Sequence, residues 1–172
     1  MAAQRLGDPT DPTTDIGPLA RERGRVAVEA LVADAAAAGA RVLCGGERPD
    51  GSGWYYPATV VEGVADGMTL HCEEAFGPVA ALYRVSELDE ALVLANDTPY
   101  GLGAVIWSED PAEEARAVAE IEAGSVTVNG MTVSYPELPF GGVKGSGYGR
   151  ELAGPGIREF CNAKTVWVGR SG

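Results

Sequence analysis

The stretch that most constrains this chain spans residues 139–151 and reads Pro139-Phe140-Gly141-Gly142-Val143-Lys144-Gly145-Ser146-Gly147-Tyr148-Gly149-Arg150-Glu151. Glycines at this density allow the backbone to adopt positive φ and to approach a ligand or another backbone segment closely. Phe140 and Tyr148 would add rigid apolar walls beside it. The stretch therefore indicates either the wall of a binding site or a glycine-rich structural turn.

Neither of two common glycine-rich nucleotide-binding motifs fits this stretch. A dinucleotide fingerprint requires G-x-G-x-x-G, but residues 145–150 place the third glycine one position early. A phosphate loop requires a lysine directly after its last glycine, whereas Lys144 precedes Gly145. The loop must therefore be interpreted from its position in the fold.

Composition limits the classes of partner. The 172 residues suffice for one domain or part of one, and no apolar run is long enough to cross a bilayer. A net charge of −12 repels phosphate backbones and anionic lipids, so we expect neither nucleic acid nor a membrane as partner. Three widely spaced cysteines and one histidine argue against structural zinc. The cysteines, and a start without the apolar stretch of a secretory signal, predict a cytoplasmic protein.

Hydrophobic periodicity and turn residues predict an α/β fold. A helix is expected from about Leu19 to Ala38, followed by Gly39 as its cap. Alternating elements follow: a strand at 79–83, a helix from Ser86 to about Ala95, a strand at 103–107, a helix from Asp110 to Gly124 and a strand at 125–128. This β-α-β-α-β order implies a parallel sheet, whose ligands collect at the carboxyl ends of its strands. Residues 129–150 leave such an end, which favours a site wall.

The carboxyl-terminal residues predict a short helix at 156–160 and a strand at 164–168. That strand has no nearby hairpin partner. It would therefore pair with its own domain or with a second copy of the chain.

Residues 71–74, His-Cys-Glu-Glu, include the candidates for direct chemistry. On an extended segment, Cys72 and His71 point to opposite faces and cannot share a proton unless the chain turns there. Glu73 and Glu74 could act as a crowded acid–base pair, or one could accept a hydrogen bond from a sugar hydroxyl. Residue type alone leaves both readings open.

Further motifs lie in register along the chain. They are Glu73-Glu74-Ala75-Phe76-Gly77-Pro78-Val79, Ala95-Asn96-Asp97-Thr98, Tyr100-Gly101-Leu102, Val128-Asn129 and the stretch 139–151. In order and spacing they resemble the carboxyl-terminal part of the NAD(P)-dependent aldehyde dehydrogenases. Residues 129–139 and 156–162 are most similar to bacterial succinate-semialdehyde dehydrogenases. The resemblance implies that residues 1–162 form an incomplete carboxyl-terminal portion of that catalytic domain, and residues 163–172 a terminal strand for oligomerisation.

The resemblance also implies roles for five residues. Glu74 would bind the nicotinamide ribose of NAD or NADP, and Phe76 would pack beside the nicotinamide. Phe140 would line the aldehyde pocket, and Ser134 would hydrogen-bond the distal carboxylate of the substrate. Asn129 would lie at a strand end near the active-site channel.

The motifs that carry the family's reaction are not in this sequence. The family's chemistry resembles thiolate attack on the aldehyde, hydride transfer and hydrolysis by a glutamate-activated water. Neither the G-Q-x-C motif of the nucleophile nor the E-L-G-G motif of the base occurs here. We therefore expect a fragment that is inactive alone, whose partners are an aldehyde and either a complementing amino-terminal fragment or a second copy. The alternatives are a non-catalytic module that pairs with full-length dehydrogenase subunits, and a cysteine hydrolase acting through Cys72.

Overall fold

The computed structural model describes residues 1–170. Its backbone contacts fall into two units, Met1–Val85 (unit 1) and Ser86–Gly172 (unit 2), and each is described by itself. The sequence had suggested one continuous portion over residues 1–162, so this division is a difference from expectation. The assignment of that portion to a catalytic domain stays a prediction.

Unit 1 combines helices with a three-stranded sheet. Its elements are α1 (Glu22–Ala37), β1 (Arg41–Cys44), β2 (Thr59–Glu62), α2 (Thr69–Cys72) and β3 (Val79–Leu82). The strand order is β1-β2-β3, with β1 antiparallel and β3 parallel to β2. The predicted first helix and the strand at 79–83 are confirmed.

The core of unit 1 is built on one face of α1. Val28, Leu31, Val32 and Ala35 are all buried, at the spacing that places side chains on one helical face. They share their cluster with Tyr56, whose hydroxyl donates to the carbonyl oxygen of Gly46 at 3.1 Å. Beyond the helix end, Gly39 has a φ of 103°, which confirms its expected role because only glycine adopts this conformation without strain.

Unit 2 contains the remaining elements. They are α3 (Leu88–Asn96), β4 (Tyr100–Gly101), β5 (Gly103–Ile106), α4 (Pro111–Glu120), β6 (Ser125–Val128), β7 (Val143–Lys144) and α5 (Ala153–Arg158). β5 and β6 are parallel and are joined through α4, while β4 and β7 form a short antiparallel pair. The β5-α4-β6 segment is thus a true β-α-β unit.

The expected helix signals are confirmed at one end of α4 and wrong at two other places. The carboxylate of Asp110 accepts from the backbone N–H of Ala112 at 2.8 Å, and Pro111 begins the helix. The helix ends at Glu120, however, and not at Gly124. For α3 the N-cap residue is Glu87, while Ser86 donates its N–H to the carboxylate of Glu90 at 3.0 Å.

The single parallel sheet expected from the β-α-β-α-β order is not formed. β3 belongs to the sheet with β1 and β2, whereas β5 pairs with β6 in another sheet. Periodicity identifies a strand but not its neighbour, because strand pairing is decided by non-local contacts. The α/β class is confirmed, in the form of several small sheets.

The predicted terminal strand does not form within this chain. Residues 161–170 have no secondary structure, because a strand requires a neighbouring strand for its backbone groups and the isolated chain offers none there. The remainder of the predicted 163–172 segment, residues 171 and 172, lies outside the described residues. Pairing of this segment with another chain stays a prediction.

Among the residues that the structure describes, none of the helices combines the length and the apolar character needed to span a bilayer.

Candidate functional site

The glycine-rich stretch forms a loop that is closed at its base. Phe140 and Glu151 exchange two backbone hydrogen bonds, of 2.8 and 2.7 Å. The guanidinium of Arg150 donates to the carbonyl oxygens of Gly142 at 2.9 Å and of Gly149 at 2.6 Å. These bonds give residues 140–151 a defined shape.

Several glycines of this region are required by close backbone packing. A Cβ atom on Gly124 would lie 1.7 Å from the carbonyl oxygen of Gly141, and one on Gly142 would lie 2.5 Å from Cβ of Ser146. Gly124 therefore allows close approach and does not terminate a helix. The two interpretations of the loop are compatible, because the packing that makes it a structural turn also fixes Phe140.

Phe140 lines a cavity of about 330 Å³ in unit 2. The cavity lies between β6 and the segment that follows it, and its apolar lining includes Val126, Val128, Met131 and Leu138. Its hydroxyl-bearing residues are Ser125, Thr127, Thr132 and Tyr135. No charged side chain is among the described residues that line it. The size and lining suit a small molecule that is mainly apolar and has few polar groups.

Ser125 provides an unsatisfied polar atom in this cavity. Its Oγ is buried and has no hydrogen-bond partner among the described residues. A buried hydroxyl without a partner is unfavourable, so a water molecule or a ligand group at this position would stabilise it. Neither Ser125 nor the three other hydroxyl residues had been picked out from the sequence, since the alternation of β6 does not reveal which side chains border a cavity.

Asn129 directly follows β6 and holds the chain there with a φ of 51°. Its carboxamide oxygen accepts from the backbone N–H of Ser108 at 3.0 Å. Its Nδ2 donates to the carbonyl oxygen of Ser108 and to the carboxylate of Glu114, both at 2.8 Å. The side chain thus ties the end of β6 to the residues between β5 and α4.

Ser134 is exposed and lies between Val133 and Tyr135, both of which line the cavity. Ser134 itself is not among the lining residues. The structure therefore brings Phe140 to the cavity, and places Ser134 and Asn129 on the same segment but outside the lining. Their roles in substrate binding stay predictions.

Glu74 and Phe76 belong to unit 1, in the connection between α2 and β3. Both are exposed, and the ring of Phe76 retains 74% of its accessible surface. The connection is tightly turned, with 2.8 Å hydrogen bonds from Gly77 N–H to the Ala75 carbonyl and from Val79 N–H to the Gly77 carbonyl. A Cβ on Gly77 would lie 2.7 Å from a methyl group of Val28. A fixed backbone therefore presents both side chains to solvent.

The neighbouring His71 and Cys72 lie on a helical turn, α2, and not on the extended segment expected from sequence. The Nδ1 atom of His71 is 3.0 Å from the hydroxyl of Tyr83, and the two rings meet edge to face. The thiol of Cys72 is exposed. The imidazole is thus engaged by a group other than that thiol, which gives the hydrolase alternative no structural support.

The clearest carboxylate–arginine cluster of unit 1 lies on its sheet. Glu62 on β2 pairs with Arg41 on β1 and with Arg84, the latter at 2.7 Å. Hydrogen bonds from Arg41 and then from Arg84 lower the pKa of Glu62. Among residues 1–170, no group of three or more His, Cys, Asp or Glu side chains is arranged to hold a metal ion.

Comparison with known proteins gives matches over almost the entire chain. The sequence profile of the aldehyde dehydrogenase family matches residues 1–166. The succinate-semialdehyde dehydrogenase (NADP(+)) of Mycobacterium avium strain 104 is 60% identical over 171 residues, which are 99% of this chain and 36% of that protein. Succinate-semialdehyde dehydrogenase (NADP(+)) 1 of Mycobacterium tuberculosis strain H37Rv is 60% identical over 168 residues.

Solved structures agree with these sequence matches. The crystal structure of succinic semialdehyde dehydrogenase from Streptococcus pyogenes, in complex with NADP+ as the cofactor, superposes with a TM-score of 0.90 at 37% identity. The match covers 97% of this chain and 37% of that one. This chain thus spans little more than a third of the length of the relatives that it matches.

Proposed function

The chain belongs to the aldehyde dehydrogenase family, and we propose that it forms the carboxyl-terminal part of a cytoplasmic, NADP-dependent enzyme that oxidises succinate semialdehyde to succinate. The observation that carries this proposal is the 60% identity to mycobacterial succinate-semialdehyde dehydrogenases over 99% of the chain. That span includes both the Glu74–Phe76 connection and the Phe140 loop. NADP is preferred to NAD because the relatives' names specify it.

On the substrate side, the cavity beside Phe140 would receive the aldehyde. Its apolar side chains match the short methylene chain of succinate semialdehyde, and its hydroxyl groups can donate hydrogen bonds to a carboxylate. The unsatisfied Ser125 Oγ is one such donor inside the cavity. The exposed hydroxyl of Ser134 would add another for the distal carboxylate. Asn129 would act by holding the strand end in place.

On the cofactor side, Glu74 and Phe76 fit a nicotinamide nucleotide. An exposed carboxylate can accept hydrogen bonds from ribose hydroxyls, and an exposed aromatic ring can pack on the nicotinamide. The tight turns at Ala75 to Val79 keep both side chains presented without a bound ligand. When bound, NADP accepts the hydride that leaves the substrate. The residues of this chain would bind and orient that group.

The nucleophile and general base of the reaction would come from outside these residues, because the sequence contains neither G-Q-x-C nor E-L-G-G. We therefore expect the purified chain to show no NADPH formation with succinate semialdehyde. Activity would require a complementing amino-terminal polypeptide.

A chimera tests this proposal directly. Residues 1–166 would replace the matching segment of the Mycobacterium avium relative, and NADPH formation from succinate semialdehyde would be measured. We expect turnover. Glu74→Gln should raise the KM for NADP by roughly 10- to 100-fold, as expected for the loss of a charged hydrogen bond worth about 1.5–3 kcal/mol. Cys72→Ser is the matched control and should change the rate by less than about two-fold.

A folded chimera that produces no NADPH would refute the proposed function. A Cys72→Ser variant without activity would instead revive the hydrolase alternative. A Glu74→Gln variant with an unchanged KM would remove Glu74 from the cofactor site.

A second candidate function is favoured by the exposure of the carboxyl-terminal residues. Val166, Trp167 and Val168 retain 74%, 89% and 79% of their accessible surface, and Phe160 retains 93%. Such exposure is unusual for large apolar side chains and is typical of an interaction surface. The chain would then be a non-catalytic module that pairs with full-length dehydrogenase subunits, or with a second copy, through residues 163–172.

Co-purification with the full-length Mycobacterium avium relative tests this second candidate. Binding that is lost when the residues after Cys161 are deleted would support it. A monodisperse monomer that ignores the relative would contradict it.

A further inference from the structure

We propose that Lys144 is a positioning residue, which fixes the loop carrying Phe140 by joining the carboxyl-terminal ends of α3 and α4. The inference rests on the proposed function only in treating Phe140 as a substrate wall.

The ammonium group of Lys144 has three acceptors. Its Nζ donates to the carbonyl oxygens of Asn96 at 2.8 Å and Thr98 at 3.3 Å. It also pairs with the carboxylate of Glu122 at 2.7 Å. The side chain retains only 23% of its accessible surface. An ammonium has three donors, so this environment uses all of them.

Two helix ends meet at this ammonium. α3 ends at Asn96, and Glu122 lies two residues beyond the end of α4. The side chain of Asn96 links the two ends, donating to the Glu120 carbonyl and accepting from the Glu122 N–H, both at 2.8 Å. Helix carboxyl termini carry partial negative charge and are stabilised by cations. Neither helix has a basic residue in its last turn, so Lys144 supplies the cation from a distant loop.

The residues around Lys144 attach the same loop to the segment after α3. Gly145 N–H donates to the Pro99 carbonyl at 2.7 Å, and Gly101 N–H donates to Oγ of Ser146 at 2.9 Å. Lys144 is itself opposite Tyr100 in the β4–β7 pair. The loop is thus closed at Phe140 and Glu151 and anchored at residues 144–146. Phe140 lies four residues from that anchor and keeps its position beside the cavity through it.

The backbone of Lys144 supports a specific role for this side chain. Its φ is 52°, a conformation that side-chain-bearing residues adopt at some energetic expense. Only strong contacts of the side chain would hold a lysine there. The planar guanidinium of arginine could not direct donors toward three acceptors in this arrangement.

Hydrogen exchange in Lys144→Met and Lys164→Met variants tests the proposal. Lys144 and Lys164 are the two lysines of the chain, and Lys164 is exposed, so the second variant is a matched control for the loss of one charge. We expect Lys144→Met to accelerate exchange of peptides covering 96–102 and 139–149 by at least about ten-fold, with unit 1 peptides unchanged. Lys164→Met should leave both regions as they are. An equal acceleration everywhere, or none in the loop, would overturn the proposal.

A measurement on the unmodified chain keeps the proposal testable if Lys144→Met does not fold. Acetylation of the two lysines by a limiting amine reagent can be followed by mass spectrometry. We expect Lys144 to react at least about ten-fold more slowly than Lys164, because its ammonium is engaged on three sides. Equal rates would contradict the proposed contacts.

Neither of these readouts needs cofactor or substrate, so their outcome is separate from the test of the proposed function. In an active chimera, Lys144→Met should raise the KM for the aldehyde more than the KM for NADP. An equal rise in both would indicate a general loss of structure and would refute the positioning role.

Discussion

Replacing Gly124 by alanine should displace the loop that carries Phe140. The added Cβ would lie 1.7 Å from the carbonyl oxygen of Gly141, 2.7 Å from its carbonyl carbon and 3.0 Å from Cα of Gly142. Cβ atoms essentially never approach other heavy atoms closer than 3.0 Å. All three neighbours are backbone atoms, which cannot rotate away as a side chain could. The loop backbone must therefore move by more than an ångström.

The sign of the effect on stability separates this clash from an ordinary glycine substitution. Alanine at a compatible position usually stabilises a protein by about 0.4–1 kcal/mol, through the unfolded state. Gly124 is outside the positive-φ region, so its own conformation would accept alanine. Overpacking that shifts backbone destabilises by about 1–3 kcal/mol. We therefore expect Gly124→Ala to lower the free energy of unfolding of unit 2 by about 1–3 kcal/mol.

Urea unfolding, read by hydrogen exchange of peptides from each unit, measures this change separately for the two units. Gly24→Ala on α1 is the matched control, since a Cβ there has no atom within 4 Å. It should stabilise unit 1 by about 0.5–1 kcal/mol. A Gly124→Ala variant as stable as the parent, with unchanged exchange in residues 139–146, would refute the packing that we describe.

Three further substitutions probe other contacts. Asp110→Ala removes the cap of α4 and should destabilise unit 2 by about 1 kcal/mol in urea, while Asp110→Asn keeps an acceptor and should remain close to the parent; equal effects would argue against the cap. Tyr56→Phe removes the bond to the Gly46 carbonyl and should destabilise unit 1 by about 1 kcal/mol, and an unchanged urea midpoint would show that this bond contributes nothing. For Glu62, arginine partners lower the native pKa below the ordinary value of 4.5, so its stabilising effect is present above that pH and is lost as the pH falls through the lowered pKa. Glu62→Gln should therefore flatten the dependence of the urea midpoint of unit 1 on pH below 4.5, and a parallel curve would count against this linkage.

Local signals in the sequence were the most reliable guide to the fold. The spacing of Val28, Leu31, Val32 and Ala35 identified the buried face of α1, because helical periodicity is a property of neighbouring residues. Asp110 and Pro111 marked the start of α4 for the same reason, since a cap and a first-turn proline act within three residues.

Non-local packing accounts for the failures. Gly124 looked like a helix terminator but is required by a backbone 17 residues away in sequence, at Gly141. The strands at 79–82 and 103–106 were identified, yet their membership of separate sheets depends on pairing that no local pattern encodes. The strand expected at 164–168 failed because a strand also depends on its neighbour.

The candidate site was predictable only where a motif carried it. Phe140 was expected to line an aldehyde pocket and does border a cavity. The hydroxyl groups of Ser125, Thr127 and Thr132, which also line it, gave no distinguishing signal in the sequence. The contacts of Asn129 and Lys144 join segments that are 15 to 48 residues apart, so they could be seen only in the folded chain.

The central claim is that residues 139–151 form the substrate-side wall of an aldehyde dehydrogenase site. The most direct test is the KM for succinate semialdehyde in the chimera with the Mycobacterium avium relative, with and without Phe140→Ala. We expect the KM for the aldehyde to rise by at least about ten-fold, which corresponds to about 1.4 kcal/mol of lost contact, while the KM for NADP stays the same. An unchanged aldehyde KM in a folded and active Phe140→Ala chimera would contradict the claim.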